Sequence, residues 1–289
     1  MKRLGAGSAL ALAGLVGGCT SATTAAFNAT HSLDGITLSK DLAYGNASRQ
    51  LYDLYTPEGT DETTPLVVFV HGGSWYDGDK NIYKFLATGL AENGIGSAII
   101  NYRLAPDVSF PTFVEDAALA VADVHGNQPS RPLFLMGHSA GAQMAGLLTY
   151  GPRYLNAVGM SPCDVAGFIG ISGPYEFLPL VEQRFKDIFP VETRAETQPI
   201  NYAGGPTPPS LLLHGTHDGT VHAEDTRLMT AALKREGNAV EAKFYDGVGH
   251  IDIIVSMSPK TDRGGPTLED VTAFIEAQGA AGYPSCSAS

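Results

Sequence analysis

An apolar run of strand length, Leu133 to Met136, enters Gly137-His138-Ser139-Ala140-Gly141 and leaves it as a helical stretch of mostly small residues, AGAQMAGLLTY. Few architectures accept that succession, because a buried strand that turns at once into a helix belongs to a sheet covered by helices. The turn has to be tight, so its flanking positions must carry no bulk. Gly137 and Gly141 let strand and helix approach while the Ser139 hydroxyl projects away from both. In this context G-x-S-x-G reads as a nucleophile elbow and Ser139 as a candidate nucleophile. Without the strand and the helix it would be only a glycine-rich turn.

The alternation continues along the chain. Strands are expected at Leu66 to Val70, Ser97 to Tyr102, Phe168 to Ile171, Leu211 to Leu213 and Val240 to Tyr245. Helices are expected at Phe113 to Val124, where Val114, Ala117, Ala118, Val121 and Val124 share a face, at Glu224 to Arg235, and near Leu268 to Ala277. The fold class is therefore α/β, a mostly parallel central sheet with helices on both faces. One stretch breaks the pattern. Residues 174–209 are rich in proline and aromatics and longer than an ordinary connection, which suits a short cap insertion or a packed surface excursion. Its Tyr175 and Phe177 are candidate walls of a substrate pocket.

The chain has 289 residues, 44% hydrophobic and 17% charged, enough for one large core and too apolar for a disordered chain. Eighteen Lys and Arg against 30 Asp and Glu give a net charge of -12, which argues against a nucleic-acid partner. Residues 1–18 join a basic start, Lys2 and Arg3, to an apolar stretch too short to span a bilayer as a mature helix, and so read as an export signal. Val16-Gly17-Gly18-Cys19 resembles the lipobox of bacterial lipoproteins, with Val16 where leucine is usual. That resemblance implies lipidation at Cys19 and a membrane-anchored location. Cleavage near Ala22 or Ala25 would instead give a periplasmic or secreted protein. Residues 19–32 are small and polar and are expected to form a flexible tether, with the folded domain at 33–289. If Cys19 is lipidated, Cys163 and Cys286 are the remaining thiols, and an oxidising compartment permits them to pair. A buried small hydrophobe and a tail residue is the other reading.

A hydroxyl needs a base to take its proton and an acid to orient that base, and in an elbow of this type they follow in the order Ser, Asp, His. Asp218 stands just past the apolar strand in LLLHGTHDGTV, and His250 follows the last strand in YDGVGH. Asp246 and Asp252 lie too near His250 in sequence to approach it readily from the opposite strand end, while His214, His217 and His222 precede the expected position of the base. A metal site at His214, His217, Asp218 and His222 is disfavoured, because their spacing fits no helical zinc pair. His71-Gly72-Gly73-Ser74-Trp75 supplies the second element, since backbone N–H groups of a glycine-rich loop can stabilise an oxyanion. Gly73, Ser74 and Ala140 are the candidate donors, by analogy with HGGG-type loops. His71 is expected to brace the loop, and Trp75 either walls the pocket or anchors the core.

Together HGGSW, Asn101-Tyr102-Arg103-Leu104-Ala105-Pro106, GHSAG, Ile171-Ser172-Gly173-Pro174-Tyr175-Glu176-Phe177 and HGTHDGTV resemble the α/β-hydrolase superfamily. The branch is that of esterases and lipases related to hormone-sensitive lipase, with carboxylesterase, feruloyl-esterase-like and kynurenine formamidase relatives. Ser74 departs from the glycine or tyrosine of many relatives. The resemblance implies a Ser139, Asp218, His250 triad, no cofactor and no metal, and hydrolysis of small acyl or aryl esters through an acyl-enzyme. An arylformamidase or exopeptidase-like amide hydrolase is the alternative, and a non-catalytic binding protein the third reading.

Overall fold

Alternation inside the apolar runs builds two cores. In strand β3 (Leu66–Val70), Leu66, Val68 and Val70 pack into one hydrophobic cluster while Val67 and Phe69 pack into another, and all five residues are buried. Strand β5 (Leu133–His138) repeats this, with Leu133 and Leu135 on one face and Phe134 and Met136 on the other. A strand buried on both faces reads as a continuous apolar run, and each such side chain removed from water contributes about 2 kcal/mol. The remaining strands of the sheet are β1 (Ile36–Ala43), β2 (Leu51–Pro57), β4 (Gly96–Ile100), β6 (Gly167–Ile171), β7 (Ser210–Gly215) and β8 (Val240–Tyr245). In this computed structural model, which describes residues 26–261 and 263–280, they lie in the order β1-β2-β4-β3-β5-β6-β7-β8. The β1–β2 and β2–β4 pairs are antiparallel and every other pair is parallel.

The helices are α1 (Lys84–Glu92), α2 (Thr112–Asn127), α3 (Ala140–Tyr150), α4 (Arg153–Ala157), α5 (Gln183–Ile188), α6 (Ala223–Arg235), α7 (Asp252–Val255) and α8 (Thr267–Ala280). Helices α2, α3 and α6 bury Phe113, Met144 and Met229 in one core, and α1 and α8 bury Leu86 and Phe274 in the other, so the sheet is covered on both faces. Helix α6 shows why such a segment is helical. It carries Glu224 and Asp225 in its first turn and Lys234 and Arg235 in its last, complementing the helix dipole at both ends. Residues 174–209 run from β6 to β7 as α5 and short 3-10 turns at Arg194–Thr197 and Pro199–Tyr202.

The structure adds elements the sequence did not reveal, corrects the tether and decides one question left open. Strands β1 and β2 and helix α1 escaped the sequence reading, because β1 lies at the sheet edge with mostly part-exposed residues and β2 carries the buried Asp53 among its apolar positions. The tether expected at residues 19–32 is docked over its last residues. Residues 26–29 are helical, Phe27 meets Phe85 at a ring distance of 5.4 Å, and His31 Nε2 lies 2.7 Å from Ser258 Oγ. Finally, Cys163 is disulfide-bonded. Cys19, Cys286 and the export signal of residues 1–18 lie outside the described residues.

Candidate active site

Parallel strands deliver their following loops to one edge of the sheet, and crevices form there, outside the carboxyl ends of the strands. The loop 71–75 leaves β3, Ser139 leaves β5, Asp218 leaves β7 and His250 follows β8. Val70 pairs in register with Gly137, so the glycine-rich loop and the elbow emerge side by side.

Ser139 is held at φ 56° and ψ -125°, a backbone conformation that costs a non-glycine residue on the order of 1–3 kcal/mol. Its N–H donates to Ile171 O at 2.9 Å, which fixes it to the neighbouring strand. The close approach that the glycines permit is literal. A Cβ on Gly141 would lie 2.0 Å from Val70 O, and one on Gly137 would lie 2.3 Å from Gly141 O. Neither position accepts a side chain without moving backbone.

Asp218 and His250 meet, with His250 Nδ1 2.7 Å from Asp218 Oδ2. The other carboxylate oxygen accepts from Thr220 N and Val221 N, each at 2.9 Å. Burial by itself would raise the Asp218 pKa, but hydrogen bonds from His214 and His250 and the backbone N–H of Val221 outweigh it and hold the carboxyl well below the usual range. His214 Nε2 lies 3.4 Å from the same Oδ2 that faces His250. His250 is tied back to the elbow as well, since His138 Nε2 is 3.0 Å from His250 O and the two rings lie 4.7 Å apart. Burial, with the nearby His250, lowers the His138 pKa to about 3. Its neutral ring can therefore donate from Nε2 to that carbonyl. Among the described residues Ser139 Oγ makes no hydrogen bond to His250, a looseness common before substrate arrives.

Gly73, Ser74 and Trp75 have φ of 125°, 54° and 64°, so the chain turns sharply beside Ser139. Among the described residues the N–H groups of Gly73, Ser74 and Ala140 make no hydrogen bond, leaving all three able to serve an incoming oxygen. The loop is braced from beneath. His71 is fully buried, its ring stacks on Tyr102 at 4.4 Å, its Nδ1 lies 2.7 Å from Gly72 O, and its carbonyl accepts from Tyr102 OH at 2.9 Å.

A cavity of about 250 Å³ opens over the serine, lined by Ser74, Trp75, Ser139, Ala140, Phe177 and Phe185 among others. Trp75 combines both roles anticipated for it, since it lines the cavity while 5% exposed and donates from Nε1 to Gln143 Oε1 at 3.0 Å. Tyr175 does not line this cavity. It is fully buried against Gly170 and Gly173 in the core, so its expected place as a pocket wall is corrected. A larger cavity of about 620 Å³ lies between Tyr76, Pro106 and Arg184, and contains none of the expected site residues. The sequence reading missed His138, Gln143 and His214 as parts of the site. For His214 a signal existed, a histidine four residues before the candidate acid at the end of a buried strand, but its neighbours His217 and His222 obscured it.

The model of the BD-FAE family matches residues 52–233, more than half of the sequence and inclusive of the 71–75 loop, Ser139 and Asp218. The chain belongs to the BD-FAE family. This BD-FAE chain is 28% identical over 268 residues to an isoprenylcysteine alpha-carbonyl methylesterase of Arabidopsis thaliana, covering 83% of this chain and 62% of that protein. It is 31% identical over 144 residues to a kynurenine formamidase of Danio rerio, covering 49% of this chain and 47% of that one. The chain spans 51% to 64% of the length of the plant methylesterases it matches. Among solved structures, esterase B from Lactobacillus rhamnosis inhibited by a tributyrin phosphonate superposes with a TM-score of 0.75 at 18% identity, covering 95% of this chain and 97% of that one. That likeness is one of fold, the α/β-hydrolase fold.

Proposed function

We propose that this BD-FAE chain is a serine hydrolase of carboxylic esters that works through an acyl-enzyme, with Ser139 as nucleophile, His250 as general base and Asp218 as its orienting acid. The observation that carries the reading is the 2.7 Å contact between His250 Nδ1 and Asp218 Oδ2 beside a strained serine that opens on a cavity. With Nδ1–H given to the carboxylate, Nε2 is free to take the Ser139 proton as Oγ attacks the ester carbonyl. Backbone N–H groups of Gly73, Ser74 and Ala140 receive the oxyanion. His250 then returns the proton to the departing alcohol, and water attacks the acyl-enzyme by the same route. No cofactor enters this cycle.

Removing Ser139 tests the reading directly. A fluorophosphonate probe is expected to label Ser139, and Ser139→Ala to lose labelling and turnover while its unfolding transition stays in place. Persistent labelling of the alanine variant would falsify the assignment. The cavity, walled by Phe177 and Phe185, suits short acyl or aryl groups. 4-Nitrophenyl acetate, 4-nitrophenyl butyrate and methyl ferulate should be turned over in preference to 4-nitrophenyl palmitate. Likeness to a kynurenine formamidase supports a second reading on the same residues, hydrolysis of an aryl formamide. A kcat/KM for an aryl formamide above that for every ester in the panel would establish it.

The proposal extends to location. Residues 1–18 and Val16-Gly17-Gly18-Cys19 support export and a lipid anchor at Cys19, and the disulfide at Cys163 suits an oxidising compartment. The native protein should sediment with membranes and incorporate labelled palmitate, and Cys19→Ser should abolish incorporation without lowering specific activity. A mature N-terminus after Ala22 or Ala25 would show a protein released without an anchor.

A further inference from the structure

The carboxylate that faces His250 faces a second imidazole. His214 and Asp218 side chains are both fully inaccessible to solvent, and His214 Nε2 lies 3.4 Å from Asp218 Oδ2, the oxygen that also meets His250 Nδ1. The same Nε2 is 3.0 Å from Val221 O, and the other ring nitrogen, Nδ1, is 2.7 Å from Thr226 Oγ1. These partners settle the tautomer by chemistry. An ionised carboxylate and a carbonyl only accept, so Nε2 must carry the proton that lies between them. Nδ1 is then left to accept from the Thr226 hydroxyl, which is itself fully buried. The result is a directed chain, Thr226 O–H to His214 Nδ1 and His214 Nε2–H towards Asp218 and Val221 O.

Resting on the triad reading above, we infer that His214 is a positioning residue for that triad, sharing Asp218 Oδ2 with His250 so as to fix the carboxylate and moderate its pull on the catalytic imidazole. The geometry supports both effects. Asp218 Oδ1 is held by two backbone N–H groups, and His214 is the second side chain beside Oδ2, adding a contact that limits rotation of the carboxylate as a whole. A carboxylate with one donor fewer also attracts the remaining His250 N–H more strongly and favours its protonated form. The titratable groups facing the cluster are His214 on β7, His250 after β8, His138 at the end of β5 beside His250, and His222 and Asp225 at the start of α6. Among them only His214 and His250 are within 3.5 Å of Oδ2.

The test is the pH dependence of ester hydrolysis in three variants of the full chain. His214→Phe keeps an aromatic ring and removes both nitrogens. It should lower kcat about tenfold, the worth of one hydrogen bond to a charged group, with KM little changed. Its acid limb of kcat/KM should move to higher pH. His214→Gln can place an amide N–H near the former Nε2 and should restore most of both. Thr226→Val, nearly isosteric and so suited to folding where the ring substitution is not, removes the hydroxyl that donates to Nδ1 and holds the ring against Asp218, and should move the acid limb in the same direction. A merely structural histidine would lower the unfolding temperature while leaving the pH profile of the folded fraction in place. Acid limbs of His214→Phe, or of Thr226→Val where the former does not fold, that overlay the native curve overturn the inference. An inactive native chain, or an active Ser139→Ala variant, overturns the triad reading instead.

Discussion

Ser139 is the residue at which local cost and the proposed chemical use coincide. Its left-handed φ is maintained by a backbone hydrogen bond to β6 and by glycines at the two positions where a Cβ would strike backbone, so the strain is imposed by the sheet and helix around it. Asp218 shows the opposite economy. Burial works against its charge, yet contacts from His214 and His250 and backbone N–H groups keep the carboxyl well below the ordinary carboxylate range. Its ionised form is therefore favoured well into the acid range. On the acid side only one group of the triad then gains a proton, so log kcat/KM should fall with a slope of one. A limiting slope of two across the same range would show that the carboxylate titrates along with the imidazole.

The elements divide the labour differently from the residues. Strand ends supply the proposed reacting groups, whereas the segment between β6 and β7 supplies walls of the cavity. Phe185 of α5 lies 5.9 Å from the Trp75 ring and Phe189 lies 4.7 Å from it, both edge-on, while Phe177 is tilted at 5.7 Å. This aromatic group is pinned to α3 through Gln143, which accepts from Trp75 Nε1 and donates from Nε2 to Thr197 O at 2.7 Å. This segment is thus tied to the helix that follows Ser139, and its Phe177 and Phe185 rings bound the cavity. Phe185→Ala should widen that cavity while leaving the serine in place. The ratio of kcat/KM for 4-nitrophenyl octanoate to that for the acetate should rise by about tenfold or more, because each accommodated methylene contributes in that range. An unchanged ratio would mean that the acyl chain runs elsewhere, with the larger cavity the next place to examine.

At the scale of the whole molecule, buried imidazoles under the site set a limit on acid tolerance. Burial is the largest cause lowering both His71, to about 4, and His138, to about 3, from an ordinary value of 6.5. The sign follows from proton uptake. Above pH 6.5 neither state binds the extra protons and this part of the stability is complete. As pH falls below 6.5 the unfolded chain takes up protons that the folded one refuses, and stability is lost until the folded values are reached. Each histidine should cost about 3 kcal/mol by pH 4. The unfolding temperature should accordingly decline steadily between pH 6.5 and 4, and a flat profile over that interval would show that the two sites admit protons without opening.

Much of this was legible in the chain because the relevant physics is local. Continuous apolar runs marked β3, β5, β6 and β7, since a strand buried on both faces has no polar side to show, and the glycine spacing around Ser139 marked a turn that no bulkier residue could make. Asp218 and His250 were legible as candidates from their positions just past strands. What stayed hidden depended on contacts between distant segments. β1 is a half-exposed edge strand and β2, paired on both sides, interrupts its apolar positions with Asp53, so their pairing defines them better than their composition does, and Phe27 and His31 looked like tether until Phe85 and Ser258 were beside them. Tyr175 and Phe177 are two residues apart and equally aromatic, yet one fills the core and the other lines the cavity. The sequence by itself determined which residues are candidates to react and in what order they leave the sheet. Only the tertiary structure decided that His138 braces His250 and that His214 shares its carboxylate, because a ring nitrogen acquires a role only when folding removes water and leaves it a single set of partners.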